Sequence, residues 1–155
     1  MNGNASPSPC ADIETLIPHR APMRLAQAIV KIDDESIETA SVVQNSWPTA
    51  CDGQVRTLLL IELVAQTAAV LQGWRERHQR TRAAVGLLVG VHEAKLHKAA
   101  LPIGCQLRCF ARISHGAPNY LAFTGRVEDT DGTCWLDAAI QAFRPEGPLQ
   151  PQGLP

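Results

Sequence analysis

The chain has 155 residues, with 14 lysines and arginines against 15 aspartates and glutamates, a formal charge of −1 and 45% apolar residues. That length fits one domain able to bury about two-thirds of its unfolded surface, and so small a charge supplies no field for nucleic acid or an anionic membrane, which excludes both as main partners. The five cysteines, Cys10, Cys51, Cys105, Cys109 and Cys134, are scattered and form no Cys-x-x-Cys pair. That pattern argues for reduced thiols in a cytoplasmic protein and against a disulfide framework or a metal site.

Residues 1–9 are rich in Asn, Ser and Pro, and no basic flank precedes an apolar run. They read as a loose tail rather than a signal peptide. Residues 144–155 carry four prolines and two glycines and read as a second tail, which leaves one folded domain over 10–143. Ala11 to Ile17 suits a short helical turn stopped by Pro18. The following Ile17-Pro18-His19-Arg20-Ala21-Pro22-Met23 sets His19 between two prolines that stiffen the backbone. Such a fixed loop suits a binding group, and equally a histidine that only caps neighbouring backbone.

Ala28–Ile32 and Ser36–Gln44, either side of Asp33-Asp34-Glu35, read as a β-hairpin, with Ile37, Thr39, Ser41 and Val43 pointing to one face. A loop from Asn45 to Arg56, with Pro48 and the turn signal Asp52-Gly53, then leads into a helix over 58–74. Backbone N–H groups near Gly53, with the helix N-terminus, would suit an oxyanion or a thioester carbonyl; an ordinary connection explains the loop equally well. The helix holds one charge, Glu62, in an otherwise uncharged run. At 3.6 residues per turn Glu62, Ala65, Gln66, Ala69 and Gly73 share a narrow stripe, and leucines, isoleucine and valines cover the rest. A helix apolar nearly all round is a buried one. At roughly 25 Å it falls short of a bilayer core, and it carries a carboxylate, so a membrane span is the poorer reading.

A buried carboxylate is costly unless it is paired, hydrogen-bonded or protonated. Glu62 is therefore either one half of a structural ion pair or a functional acid. The small residues beside it leave room for a ligand, or for closely packed backbone. After Trp74 come Arg75, Arg77, Arg80 and Arg82 within eight residues, a solvated face or a patch that steers an acidic partner such as a carrier protein. Ala84–Leu96, Gln106–Ser114, Tyr120–Glu128 and Thr133–Phe143 then read as strands divided by turn signals. The whole is an α+β domain with an antiparallel sheet wrapped around one long central helix.

Three segments in this order resemble the hotdog-fold β-hydroxyacyl-acyl-carrier-protein dehydratases of the FabZ type: Leu16-Ile17-Pro18-His19-Arg20-Ala21-Pro22-Met23, Ile61-Glu62-Leu63-Val64-Ala65-Gln66, and Gly90 to Leu96 followed by Leu101-Pro102-Ile103-Gly104. The Pro-Met opening, the Asp-Gly loop and the Ile-Glu-x-x-Ala-Gln helix also resemble the aryl-polyene branch. The resemblance implies a dimer, or a higher assembly of dimers, that takes an acyl chain on acyl-carrier protein or coenzyme A and eliminates water from a 3-hydroxyacyl thioester without a metal or redox cofactor. Glu62 matches the family's acid. Aligning Trp47-Pro48 with the family's Phe-Pro places Ser46 where the catalytic loop histidine belongs, and serine alone is no proton acceptor. His19 is then the candidate base, Gln66 orients Glu62 or the substrate, and Ser46, Trp47 and Gly53 are the candidate substrate contacts. The substitution also admits a non-catalytic acyl-binding subunit paired with another hotdog protein, or a thioesterase using the lone helix carboxylate.

Overall fold

The computed structural model describes residues 12–79 and 86–144. Nearly all of both expected tails, together with Arg80 and Arg82, lies outside these ranges. A single turn of helix, α1 (Ile13–Leu16), is capped by Asp12, whose carboxylate accepts from the Glu14 N–H. Strands β1 (Ala28–Ile32) and β2 (Ser36–Val42) form the expected hairpin. Ile37, Thr39, Ser41 and Val43 are all buried on one face, as their alternation predicts.

A short strand β3 (Gln54–Arg56) precedes the long helix α2 (Leu59–His78). Strand β4 (Leu87–Leu96), short β5 (Ala100–Pro102), then β6 (Gln106–Ala117), β7 (Tyr120–Asp129) and β8 (Cys134–Phe143) complete the chain. Six strands form one antiparallel sheet in the order β1-β2-β6-β7-β8-β4, and β3 pairs with β5 in a separate two-stranded ribbon. The strands that follow the helix are thus a meander only from β6 to β8. Strand β4 crosses to the far edge and pairs with β8.

The concave face of the sheet closes on α2. Leu60, Leu63, Val64, Val70 and Leu71 are fully buried with Leu107, Phe123, Val127, Leu136 and Ile140. Helix and sheet meet closely enough at two points to restrict side-chain size. A Cβ on Gly125 of β7 would lie 2.3 Å from Val64 Cγ1, and one on Gly73 of α2 would lie 2.5 Å from the Leu16 carbonyl oxygen. At Gly73, then, the room left by the small-residue stripe is taken by the backbone of α1. The Thr39 and Thr67 hydroxyls, 2.9 Å apart in the core, join β2 to α2, and burial pushes the neighbouring Cys109 thiol up to about 12.

Two expectations change. The helix does not stop at Trp74 but runs to His78, continued by the Gln72 to Glu76 hydrogen bond and the Trp74–His78 ring contact, each four residues apart. Nor is it covered all round within one chain. Ile61, Ala65 and Ala69 are half-buried, and Leu58 just ahead of the helix is 62% exposed. No helix among the described residues is long and apolar enough to cross a membrane.

Candidate active site

Gln66 lies one turn beyond Glu62 on α2 and is 1% exposed. Its Oε1 accepts the backbone N–H groups of Leu25 (2.7 Å) and Ala26 (3.3 Å). Its Nε2 donates to the Met23 carbonyl (2.7 Å) and to Glu62 Oε1 (2.8 Å). The amide thus uses both acceptor and both donor positions, and the two backbone N–H groups fix which end is oxygen. A buried side chain saturated in this way binds the 23–26 segment to the helix and aims Glu62 at once.

The same segment delivers His19. Arg20 holds the carbonyls of Ile17, His19 and Glu14 through its guanidinium, and Arg24 bonds the Glu14 carboxylate at 2.8 Å. These bonds and the buried Ile17 give the loop, whose Ala21–Pro22 peptide is cis, a defined path. That path brings His19 Nε2 to 3.4 Å from Glu62 Oε1, with the two side chains 33% and 31% exposed. His19 Nδ1 is buried and has no hydrogen-bond partner among the described residues, so none of them fixes the ring's tautomer from behind. The result is an imidazole and a carboxylate side by side, each with a face that a ligand can reach. Such a pair can take a proton with one member and give one with the other.

The remaining candidates are not gathered here. Ser46 is exposed and bonds Gln44 at 3.3 Å. Trp47 is 3% exposed and belongs to the core, its indole Nε1 without a partner among the described residues. Asp52 and Gly53 take positive φ (49° and 76°) in the tight turn that pairs Cys51 with Gln54, and the Gly53 carbonyl accepts from Ile103. No hydrogen bond joins this turn to Glu62 among the described residues. At the far end of α2, Arg75 is half-buried, and Arg77 bonds the Thr15 hydroxyl and carbonyl at 3.2 Å. The polar group that sequence reading missed is Arg20, whose value lies in tying the Ile17 and His19 carbonyls of the histidine loop to the Glu14 carbonyl of α1; the Pro-His-Arg spacing alone gives no sign of it.

The family model of the ApeP-like proteins, described as ApeP dehydratase, matches residues 11–153. Among solved structures, the dehydratase heterocomplex ApeI:P from Xenorhabdus doucetiae is similar with a TM-score of 0.80 at 20% identity, covering 88% of this chain and 92% of that one. A hypothetical thioesterase protein with coenzyme A from Streptococcus pneumoniae TIGR4 is similar at TM-score 0.59 and 16% identity, covering 76% of this chain and 84% of that one. For smu.793 from Streptococcus mutans UA159, bound to acetyl CoA, the values are 0.62 and 12%, with 82% and 96% covered. No curated protein matches the sequence. At these identities the structural likeness carries the fold, which is the hotdog fold, and the match over nearly the full length carries the membership: the chain belongs to the ApeP-like dehydratase family.

Proposed function

We propose that this protein eliminates water from a 3-hydroxyacyl thioester carried on acyl-carrier protein or coenzyme A, with His19 and Glu62 as the acid/base pair. The observation that carries the reading is the 3.4 Å approach of His19 Nε2 to Glu62 Oε1. In this reaction neutral His19 takes the proton from the carbon next to the thioester, and protonated Glu62 delivers one to the departing hydroxyl. The proton on His19 then passes across to Glu62, which restores the pair and leaves an enoyl thioester and water. Gln66 is a positioning residue, holding Glu62 Oε1 so that Oε2, which has no hydrogen-bond partner among the described residues, meets the substrate hydroxyl. Ser46 and the Gly53 turn then serve the acyl chain or the pantetheine arm rather than the proton transfers, while Trp47 anchors their loop in the core. The carrier's acidic surface would approach the basic end of α2, where Arg75 and Arg77 lead into Arg80 and Arg82. This reading suits a cytoplasmic protein with reduced thiols.

An assembly of hotdog subunits completes the reading. Strand β4 is a ten-residue edge strand, and Leu88, Val89, Val91 and Leu96 on it are all exposed. Long apolar edges of this kind pair with another chain. The likeness to a heterocomplex and the serine at the loop position favour a second reading, in which this chain binds the acyl group and works only beside another dehydratase subunit.

Mass spectrometry of purified protein with carrier-bound 3-hydroxyacyl chains separates the two. Loss of water by the protein alone, slowed about 100-fold or more by Glu62→Gln and by His19→Ala, supports the catalytic pair; wild-type rates in both variants sink it. Turnover that begins only when a second hotdog dehydratase is added supports the binding subunit. Release of free acid would reveal a thioesterase.

A further inference from the structure

Away from the His19–Glu62 pair, three metal-type donors of different chemistry converge at the end of the sheet. His97 Nε2 lies 2.9 Å from Asp137 Oδ2, and Cys134 Sγ lies 3.4 Å from the same oxygen. All three donor atoms fall within 4.8 Å of one another. We propose that His97, Cys134 and Asp137 bind a borderline-soft divalent cation of the zinc type, with a fourth position left to solvent.

Local geometry built this cluster. Residues three apart on a regular strand face opposite sides of the sheet. In β8, however, Leu136 pairs with Val127 and Cys134 pairs with Glu128, so Trp135 is an extra residue without a partner on β7. This β-bulge turns Cys134 and Asp137 to the same side. The bulge is fastened on two sides: Trp135 Nε1 donates to Asp129 at 3.1 Å, and the His97 N–H donates to the Trp135 carbonyl at 3.1 Å. His97 is therefore brought to the cluster by the chain leaving β4, although it lies far from the other two in sequence. Expectation of no metal site rested on Cys-x-x-Cys spacing, which cannot register ligands joined by a bulge and a sheet edge.

The donors suit the ion. A nitrogen, a sulfur and a carboxylate oxygen are the ligand types zinc takes, and around a tetrahedral zinc they stand roughly 3.3–3.8 Å apart, so closure needs shifts of about an ångström or less in half-exposed side chains. Arg126 donates to the other carboxylate oxygen, Asp137 Oδ1, at 3.0 Å and turns Oδ2 toward the cluster, while Glu128 offsets the arginine's charge. The His97 bond leads the causes that hold the Asp137 carboxyl below its ordinary value. On binding, the Cys134 proton passes to solvent and the thiolate and carboxylate balance the ion's two charges. Without an ion the Cys134 thiol donates to Asp137 Oδ2 and to the Leu136 carbonyl, and His97 and Arg126 hold the same carboxylate, so the metal-free cluster is satisfied and the donor set is already assembled for the ion to displace the thiol proton.

The test is titration of the reduced, metal-stripped full chain with Co²⁺, read by visible and near-ultraviolet absorption and followed by displacement with Zn²⁺. One equivalent should produce tetrahedral d–d bands and a sulfur-to-cobalt charge-transfer band. Cys134→Ser should abolish the charge-transfer band, His97→Gln should weaken binding about tenfold or more, and Cys51→Ser, which changes an exposed thiol elsewhere, should leave the spectrum unchanged. Absence of the bands in the wild type, or their persistence in Cys134→Ser, overturns the proposal. Should Cys134→Ser fail to fold by circular dichroism, His97→Gln decides: unchanged affinity overturns the site and weakened affinity supports it.

Discussion

A single amide, Gln66, joins the candidate acid to the loop that carries the candidate base. Replacing it with leucine keeps the bulk but leaves the Leu25 and Ala26 N–H groups without partners in the interior and removes the part-buried bond to the Met23 carbonyl. Urea unfolding of Gln66→Leu should show a loss of about 2–4 kcal/mol, since each unsatisfied buried group costs about 1–3 kcal/mol. The same variant should dehydrate more slowly than the wild type even in the folded fraction, because His19 and Glu62 lose their common support. At this scale the sequence was informative for a physical reason: Glu62 and Gln66 are four apart in the first half of a mostly apolar helix, so a 3.6-residue turn sets them on one side together. Ser46 and Trp47 were less legible, because a loop offers no periodicity to say which side chain turns inward, and the tryptophan turned into the core.

Between elements, stability rests on close approaches and on turns. Gly125 lies against Val64 with no room for a methyl group, so Gly125→Ala should cost about 1–3 kcal/mol by overpacking. Adding Val64→Ala should recover part of that loss, a coupling visible in a double-mutant cycle of unfolding free energies. In the β1–β2 turn, Asp33 accepts from the Glu35 and Ser36 N–H groups and the Ser36 hydroxyl. The Glu35 N–H foremost lowers its carboxyl from the ordinary value. Because the folded value is the depressed one, this stabilisation is present above the unfolded value of about 4 and is lost as pH falls through the folded value. Melting temperatures should therefore show Asp33→Asn less stable than wild type at pH 6, the gap closing as pH falls toward 3. This hairpin was legible from its alternation and acidic turn. The end of α2 was not, because Arg and Glu form helix as readily as leucine does while polarity alone suggests that the core has ended. The β3–β5 ribbon was also hidden, since strands of three residues carry no period.

For the whole molecule, the decisive feature is the position of β4, which sequence adjacency placed among its neighbours and the fold places at the rim. Charges there should block any pairing of rims: Val89→Glu with Val91→Glu should shift sedimentation from dimer toward monomer while leaving the far-ultraviolet circular dichroism of the subunit intact. An unchanged sedimentation coefficient would move the interface elsewhere. The order of the strands also imposes an order in time. The β6–β7 and β7–β8 hairpins close through short turns, whereas β2 must find β6 by joining Val42 to Gln106, and β4 reaches β8 only by passing outside both hairpins. Closing those long loops costs chain entropy before any contact repays it. On loop-closure grounds the meander is the expected nucleus, and until β4 pairs with β8 that strand is a rim which the β4 of a neighbouring chain could take instead. The strand proposed for assembly would by the same placement be open to exchange between copies.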